Sequence, residues 1–218
     1  MNKSEHDLIV FDYRFLQRPS SPHELGNDFW GGYSIEFKLI SAAEYSRLGG
    51  DLERIRRSAI STRPNHSPRV EIQISKYEYI GDRVELELDE YTIYMYSPQM
   101  IVFEKLRAIC QQLPDYIKIM PSHSPRPRAR DFYDIHLICE QFPIVIDSEA
   151  GQNLLNLIFN AKKVPLSFIK DIGGHAAIHR QDWQNVLDTL PAAEKVHVKE
   201  FDSYLSFVLD KFKLITYR

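Results

Sequence analysis

The sequence lacks any run of about 18 apolar residues that could span a bilayer, and its opening MNKSEHDLIV lacks the apolar core of a secretory signal. Both absences lead us to expect a cytoplasmic protein. Cysteine is nearly missing: Cys110 and Cys139 are the only two, and both sit in apolar, helix-patterned surroundings. That usage disfavours a disulfide framework, a thiolate metal site and a cysteine nucleophile. There is no overall basic excess either. The formal net charge of -3 argues against a protein that coats nucleic acid along its whole surface. No internal repeat or low-complexity tail is found. The eight histidines show no metal-ligand spacing; His175 and His179 are four apart, but they follow Gly173-Gly174 and read as a loop.

What is present begins with 44% hydrophobic residues in 218, enough to bury a core in one domain or two small ones. Charge is unevenly spread. Five arginines (Arg54, Arg56, Arg57, Arg63, Arg69) occur between positions 54 and 69 without a carboxylate, and Lys118, Arg126, Arg128 and Arg130 form a second acid-free run. Six carboxylates crowd positions 78–90 against Arg83. Each run is either a solvated surface or a binding face.

Hydrophobic periodicity divides the chain. Residues 7–14 are rich in β-formers, and at 33–40 Ile35, Phe37 and Leu39 alternate with Ser34, Glu36 and Lys38. Ser41-Ala-Ala-Glu44 has the pattern of a capping box at a helix start, and Gly49-Gly50 weakens that helix. Alternation resumes in Val70, Ile72 and Ile74 and continues past Gly81-Asp82 to a strand at about 91–96. Ser97-Pro98 suits a helix N-cap and first position. Beyond it the chain reads as helices, with Val102, Leu106, Ile109 and Leu113 on one stripe and Phe201, Leu205, Val208 and Phe212 on another. Helices are expected at about 128–141, 149–163, 166–172, 181–190 and 199–213. The reading is α+β, with a sheet domain at 1–96 and a helical domain at 97–218.

Three groups carry candidate chemistry. Asp131 and Asp134, three apart on a helix, share one face and can meet one cation, metal or nucleobase, with Arg130 beside them. Alone, such an Arg-Asp-x-x-Asp helix is more often a salt-bridged surface. Lys105, flanked by apolar residues in Glu104-Lys-Leu-Arg-Ala-Ile109, can reach a phosphate at the edge of the core, or lay its stem on the core with its head in water. Glu71 stands mid-strand in Val70-Glu71-Ile72. In a metal-dependent phosphoryl-transfer site it would join aspartates of a neighbouring strand, with Asp7 as the candidate, to hold Mg2+. A competing arrangement, Asp28 followed by Glu36-Phe37-Lys38, imitates a metal-dependent nuclease.

With Glu104-Lys105-Leu106-Arg107-Ala108, Ala129-Arg130-Asp131-Phe132-Tyr133-Asp134-Ile135 and the strand bearing Val70-Glu71-Ile72, the chain resembles the AbiEii/AbiGii-type nucleotidyltransferase toxins over most of its length. The resemblance implies a polymerase-β-like palm with a mixed sheet and a helical C-terminal part. It also implies Mg2+, a nucleoside triphosphate substrate, an RNA acceptor such as tRNA, and a cognate antitoxin. By that resemblance Asp7 and Glu71 hold metal, Lys105, Arg130 and Asp131 meet the nucleotide, and Asp131 and Asp134 position it or its acceptor. The arginines at 54–69, with Arg126 and Arg128, would grip RNA. The chain departs from the family at its start, where no glycine turn precedes Asp7 and Ile9 stands at the second aspartate of Asp-x-Asp. Asp12, at an odd offset of five from Asp7, is expected on the opposite strand face. An N-terminally truncated or degenerate member is therefore expected, with a catalytically impaired protein that binds nucleotide, RNA or a protein partner as the alternative.

Overall fold

The computed structural model describes residues 7–18, 29–61, 67–213 and 215. The chain forms two compact units, Met1–Tyr77 and Glu78–Arg218. That division falls ahead of the hairpin at 84–95, whereas the sequence reading set it after the hairpin, at 96/97.

In the first unit, β1 (Leu8–Arg18), β2 (Gly32–Ser41) and β3 (Arg69–Ser75) form one sheet in that order. Every pairing is antiparallel. The mixed sheet implied by the resemblance is thus corrected: among the described residues neither sheet contains a parallel pair. Between β2 and β3 lie α1 (Ala42–Arg47) and α2 (Leu52–Arg57). Ser41 caps α1 as expected, accepting from the Glu44 amide at 3.2 Å. Gly49 and Gly50, at φ 58° and 85°, do more than weaken a helix: they end it, and Asp51 caps a second one.

The alternation along β2 is as read, but its burial is inverted. Ser34 and Glu36 are buried, at 0% and 7% exposure, while Ile35, Phe37 and Leu39 on the other face are only partly covered. The polar face is the one approached by α2, whose Arg56 reaches Asp12.

In the second unit, β4 (Val84–Leu88) and β5 (Tyr91–Met95) form a two-stranded hairpin. Helices α3 (Pro98–Cys110), α4 (Ala129–Gln141), α5 (Glu149–Asn160), α6 (Ala176–Arg180), α7 (Trp183–Thr189), α8 (Ala192–Lys195) and α9 (Phe201–Phe212) follow. Residues 166–171 form a 3-10 turn where an α-helix was expected. Ser97 caps α3 with Pro98 in its first turn. The α3 stripe forms the centre of the core, with Val102, Leu106 and Ile109 fully buried and Leu113 nearly so. From α9, Phe201, Leu205, Val208 and Phe212 are buried in the same unit. No helix among the described residues is long and apolar enough to cross a membrane. Both cysteines are free thiols, and burial pushes their pKa values up, so neither is an activated nucleophile.

Candidate active site

The two motifs meet where α3 lies against α4. The apolar stripe of α3 turns into the core, and Lys105 projects toward the first turns of α4. Asp131 is the third residue of that helix and Asp134 lies one turn on, so both carboxylates face α3. The Lys105 ammonium donates to Asp131 Oδ1 at 2.9 Å and to Asp134 Oδ2 at 2.8 Å. All three side chains are shielded, with exposures of 23%, 11% and 21%. Burial alone would pull the lysine pKa down. Attraction to Asp131 and hydrogen bonds to both carboxylates outweigh it and hold the pKa above its ordinary value. The helix is salt-bridged, as its motif alone suggested, but inward to a cation of another helix.

Two exposed arginines border this centre. Arg130 donates to Asp134 Oδ1 at 2.8 Å and to the Thr189 hydroxyl at 3.3 Å, and lies over the Tyr133 ring at 5.5 Å. Arg128 stands 3.5 Å from Asp131 Oδ2, a buried oxygen that receives no hydrogen bond. The cluster therefore combines one shielded cation, two fixed carboxylates, one unused carboxylate oxygen and two outward guanidinium groups. Such a set can bind anionic oxygens and accept a proton.

The sequence reading missed what holds α4 in place. Arg128, at the N-cap, has no capping side-chain bond; its amide donates to Nδ1 of His179 at 3.0 Å. His179 lies on α6, not in a loop, and is completely buried. Burial, reinforced by the charges of Arg128 and His175, lowers its pKa to about 4, so the ring stays neutral and keeps Nδ1 as an acceptor. On α3, Glu104 is salt-bridged to Arg107, which donates in turn to Gln111 at 2.6 Å.

The other sequence candidates are placed differently. Asp7 sits at the exposed start of β1, where its carbonyl accepts from the Ala42 amide. Glu71 pairs across from Glu36, while Leu8 pairs with Ser41; Asp7 lies one residue before Leu8, so an offset of about six strand residues, about 20 Å, separates it from Glu71 along the sheet. Glu71 instead accepts from Ser34 at 2.7 Å and Gln73 at 3.1 Å, which lower its pKa, and it pairs with Arg18. The pair expected to hold Mg2+ is not brought together, and no group of three His, Cys, Asp or Glu side chains suited to a metal occurs among the described residues. Among the described residues, Asp7 and Glu71 do not form a site that fits that ion.

Asp12 corrects a second expectation. Two residues of β1, Asp12 and Tyr13, oppose Phe37 alone, because the register shifts between Phe11 and Arg14. Asp12 adopts φ 52° in this bulge. The shift reverses the parity of the strand, and the Asp12 carboxylate reaches the polar face, where Lys38 at 3.1 Å and Arg56 at 2.9 Å bind it. Hydrogen bonds from Arg56 and then Lys38 hold its pKa at about 2.

Of the nuclease arrangement, Glu36 pairs with Arg69 at 3.3 Å and Lys38 with Asp12, while Asp28 lies outside the described residues. The first arginine run is largely ion-paired. Arg54 meets Asp51, Arg56 meets Asp12 and Glu53, and Arg69 meets Glu36; Arg57 is exposed and Arg63 lies outside the described residues. All four carboxylate partners come from outside the run. Arg126 and Arg128 are exposed in the second unit.

The model of a family described as "Nucleotidyl transferase AbiEii toxin, Type IV TA system" matches residues 11–206. The match includes Glu71, Lys105, Asp131 and Asp134, and Asp7 lies outside it. Comparisons with curated proteins and with solved structures give no match.

Proposed function

The chain belongs to the AbiEii nucleotidyltransferase toxin family of type IV toxin–antitoxin systems, and from that premise we propose that it transfers a nucleotide from a nucleoside triphosphate to an RNA acceptor, with Lys105, Asp131 and Asp134 as its catalytic centre. The observation that carries the proposal is the shielded lysine held by two carboxylates at 2.9 and 2.8 Å. A cation fixed in a partly dry site stabilises developing negative charge more than a hydrated one, because it need not reorganise as the reaction proceeds.

In this reading Lys105 and Arg130 meet the triphosphate oxygens. Asp134 fixes both cations. Asp131 Oδ2, which receives no hydrogen bond, takes the proton from the attacking hydroxyl as that hydroxyl's oxygen bonds to the α-phosphorus and pyrophosphate leaves. Arg128 moves from Asp131 to a phosphate, and with Arg126 it grips the RNA, which makes binding salt-sensitive. The three-stranded sheet would serve as the polymerase-β-like palm, and the cognate antitoxin would restrain the enzyme in the cytoplasm.

The test incubates the protein with each labelled nucleoside triphosphate, Mg2+ and total tRNA, and follows label into RNA. Incorporation from at least one nucleotide is expected; none from any would remove the transfer reaction. A second reading, nucleotide binding without turnover, is favoured by the separation of Asp7 from Glu71. Calorimetry with nucleotide and Mg2+ distinguishes it: heat of binding without label transfer supports that reading.

A further inference from the structure

The β4–β5 hairpin has two chemically opposite faces. Val84 pairs with Met95, Leu86 with Ile93 and Leu88 with Tyr91, so these six side chains share one face. Glu85 pairs with Tyr94 and Glu87 with Thr92 on the other. All six apolar residues are exposed, from 36% at Ile93 to 74% at Tyr91. A two-stranded hairpin is marginal on its own and needs further strands or a packed face. At those exposures the six side chains present on the order of 600 Å² in one patch, the upper end of what a monomer ordinarily leaves open, and patches of that size are often functional.

We propose that this face is the interface of a homodimer, in which two copies of the hairpin pack apolar face to apolar face about a two-fold axis. The area supports it: two such patches together bury on the order of 1,000 Å², the lower bound of specific interfaces. The charge pattern selects the occupant. No carboxylate and no basic side chain lies among the six residues, so the patch offers a charged partner no ion pair. The carboxylates of Glu85 and Glu87 lie on the opposite face, and Asp89 and Glu90 sit at the turn. In an antiparallel two-fold arrangement the turns of the two copies lie at opposite ends and the acidic faces remain in water, so like charges are kept apart. A face complementary to itself is what a two-fold contact requires.

Sedimentation equilibrium of the full chain tests this. The wild type is expected at twice the 25.5 kDa chain mass, and the double variant Leu86→Glu/Ile93→Glu at the single mass with an unchanged far-UV circular dichroism spectrum. Glu87→Lys, on the other face, is expected to remain dimeric. Leu86→Cys is expected to form a disulfide-linked dimer on mild oxidation, a result that does not depend on the acidic variant folding. A wild type that stays monomeric at all concentrations reached, or a dimer that survives the double variant, would overturn the proposal.

Discussion

Replacing His179 with glutamine removes the titrating ring that supports the start of α4 while leaving a side chain able to accept a hydrogen bond. The native imidazole has a pKa of about 4 against an unfolded value near 6.5. Above pH of about 6.5 the ring is neutral in both states and its native contribution is complete. As pH falls, the unfolded chain takes up a proton first and the folded chain resists, so stability drops until the folded ring protonates near pH 4. A difference of about 2.5 pKa units corresponds to about 3 kcal/mol. Urea unfolding followed by far-UV circular dichroism between about pH 7.5 and pH 4 gives the stability of both proteins. Taking the difference removes the titration of the carboxylates they share. The wild-type advantage should shrink by about 3 kcal/mol over that window. A difference that is constant with pH, or that grows toward acid, would refute the argument that the ring is held neutral to keep Nδ1 as an acceptor for the Arg128 amide.

The ion-pair cluster itself predicts that Lys105→Met leaves two shielded carboxylates without their cation. The expected cost is about 3 kcal/mol, the lower end for a broken buried pair because the arginines remain, and thermal unfolding should show it as a loss of roughly 6–12 °C. Adding Asp131→Asn should restore part of that loss; strict additivity of the two changes would show that the residues are not coupled. At Gly32 a Cβ would run into the Ile74 carbonyl oxygen, so Gly32→Ala should cost about 1–3 kcal/mol and raise amide exchange along β2 and β3. Carbon-detected NMR titration should find Asp12 ionised down to about pH 2 in the wild type, and Arg56→Ala should move the titration back toward 3.8. Its contribution to stability is complete above 3.8 and is lost as pH falls through 2.

Much of the fold and part of the site could be read from the sequence. The α3 and α9 stripes, the Ser41 and Ser97 caps and the strands β4 and β5 follow from local periodicity and capping chemistry, although the pairing of β4 with β5 rather than β3 does not. Lys105, Asp131 and Asp134 were legible because each motif places its charges on a defined helix face, and two packed helices can bring those faces together. Other features depend on tertiary facts that no local pattern carries. Alternation in β2 shows that two faces differ but not which is covered, so the burial of Ser34 and Glu36 was missed. Parity along β1 assumed an uninterrupted ladder, and the bulge at Asp12 broke it with a positive φ that a non-glycine residue does not advertise. His179 was noticed only for its spacing from His175. Its role arises from complete burial against the start of α4.

The most direct measurement of the central claim is single-turnover transfer of labelled nucleotide to RNA by the wild type, Lys105→Ala and Asp131→Asn, with native folding of each verified by circular dichroism. Loss of a fixed electrostatic contact in an active site typically costs about 10²–10³ in rate, and a decrease of that size is expected in both variants. Label transfer at the wild-type rate in either well-folded variant would contradict the assignment of the cluster as the catalytic centre.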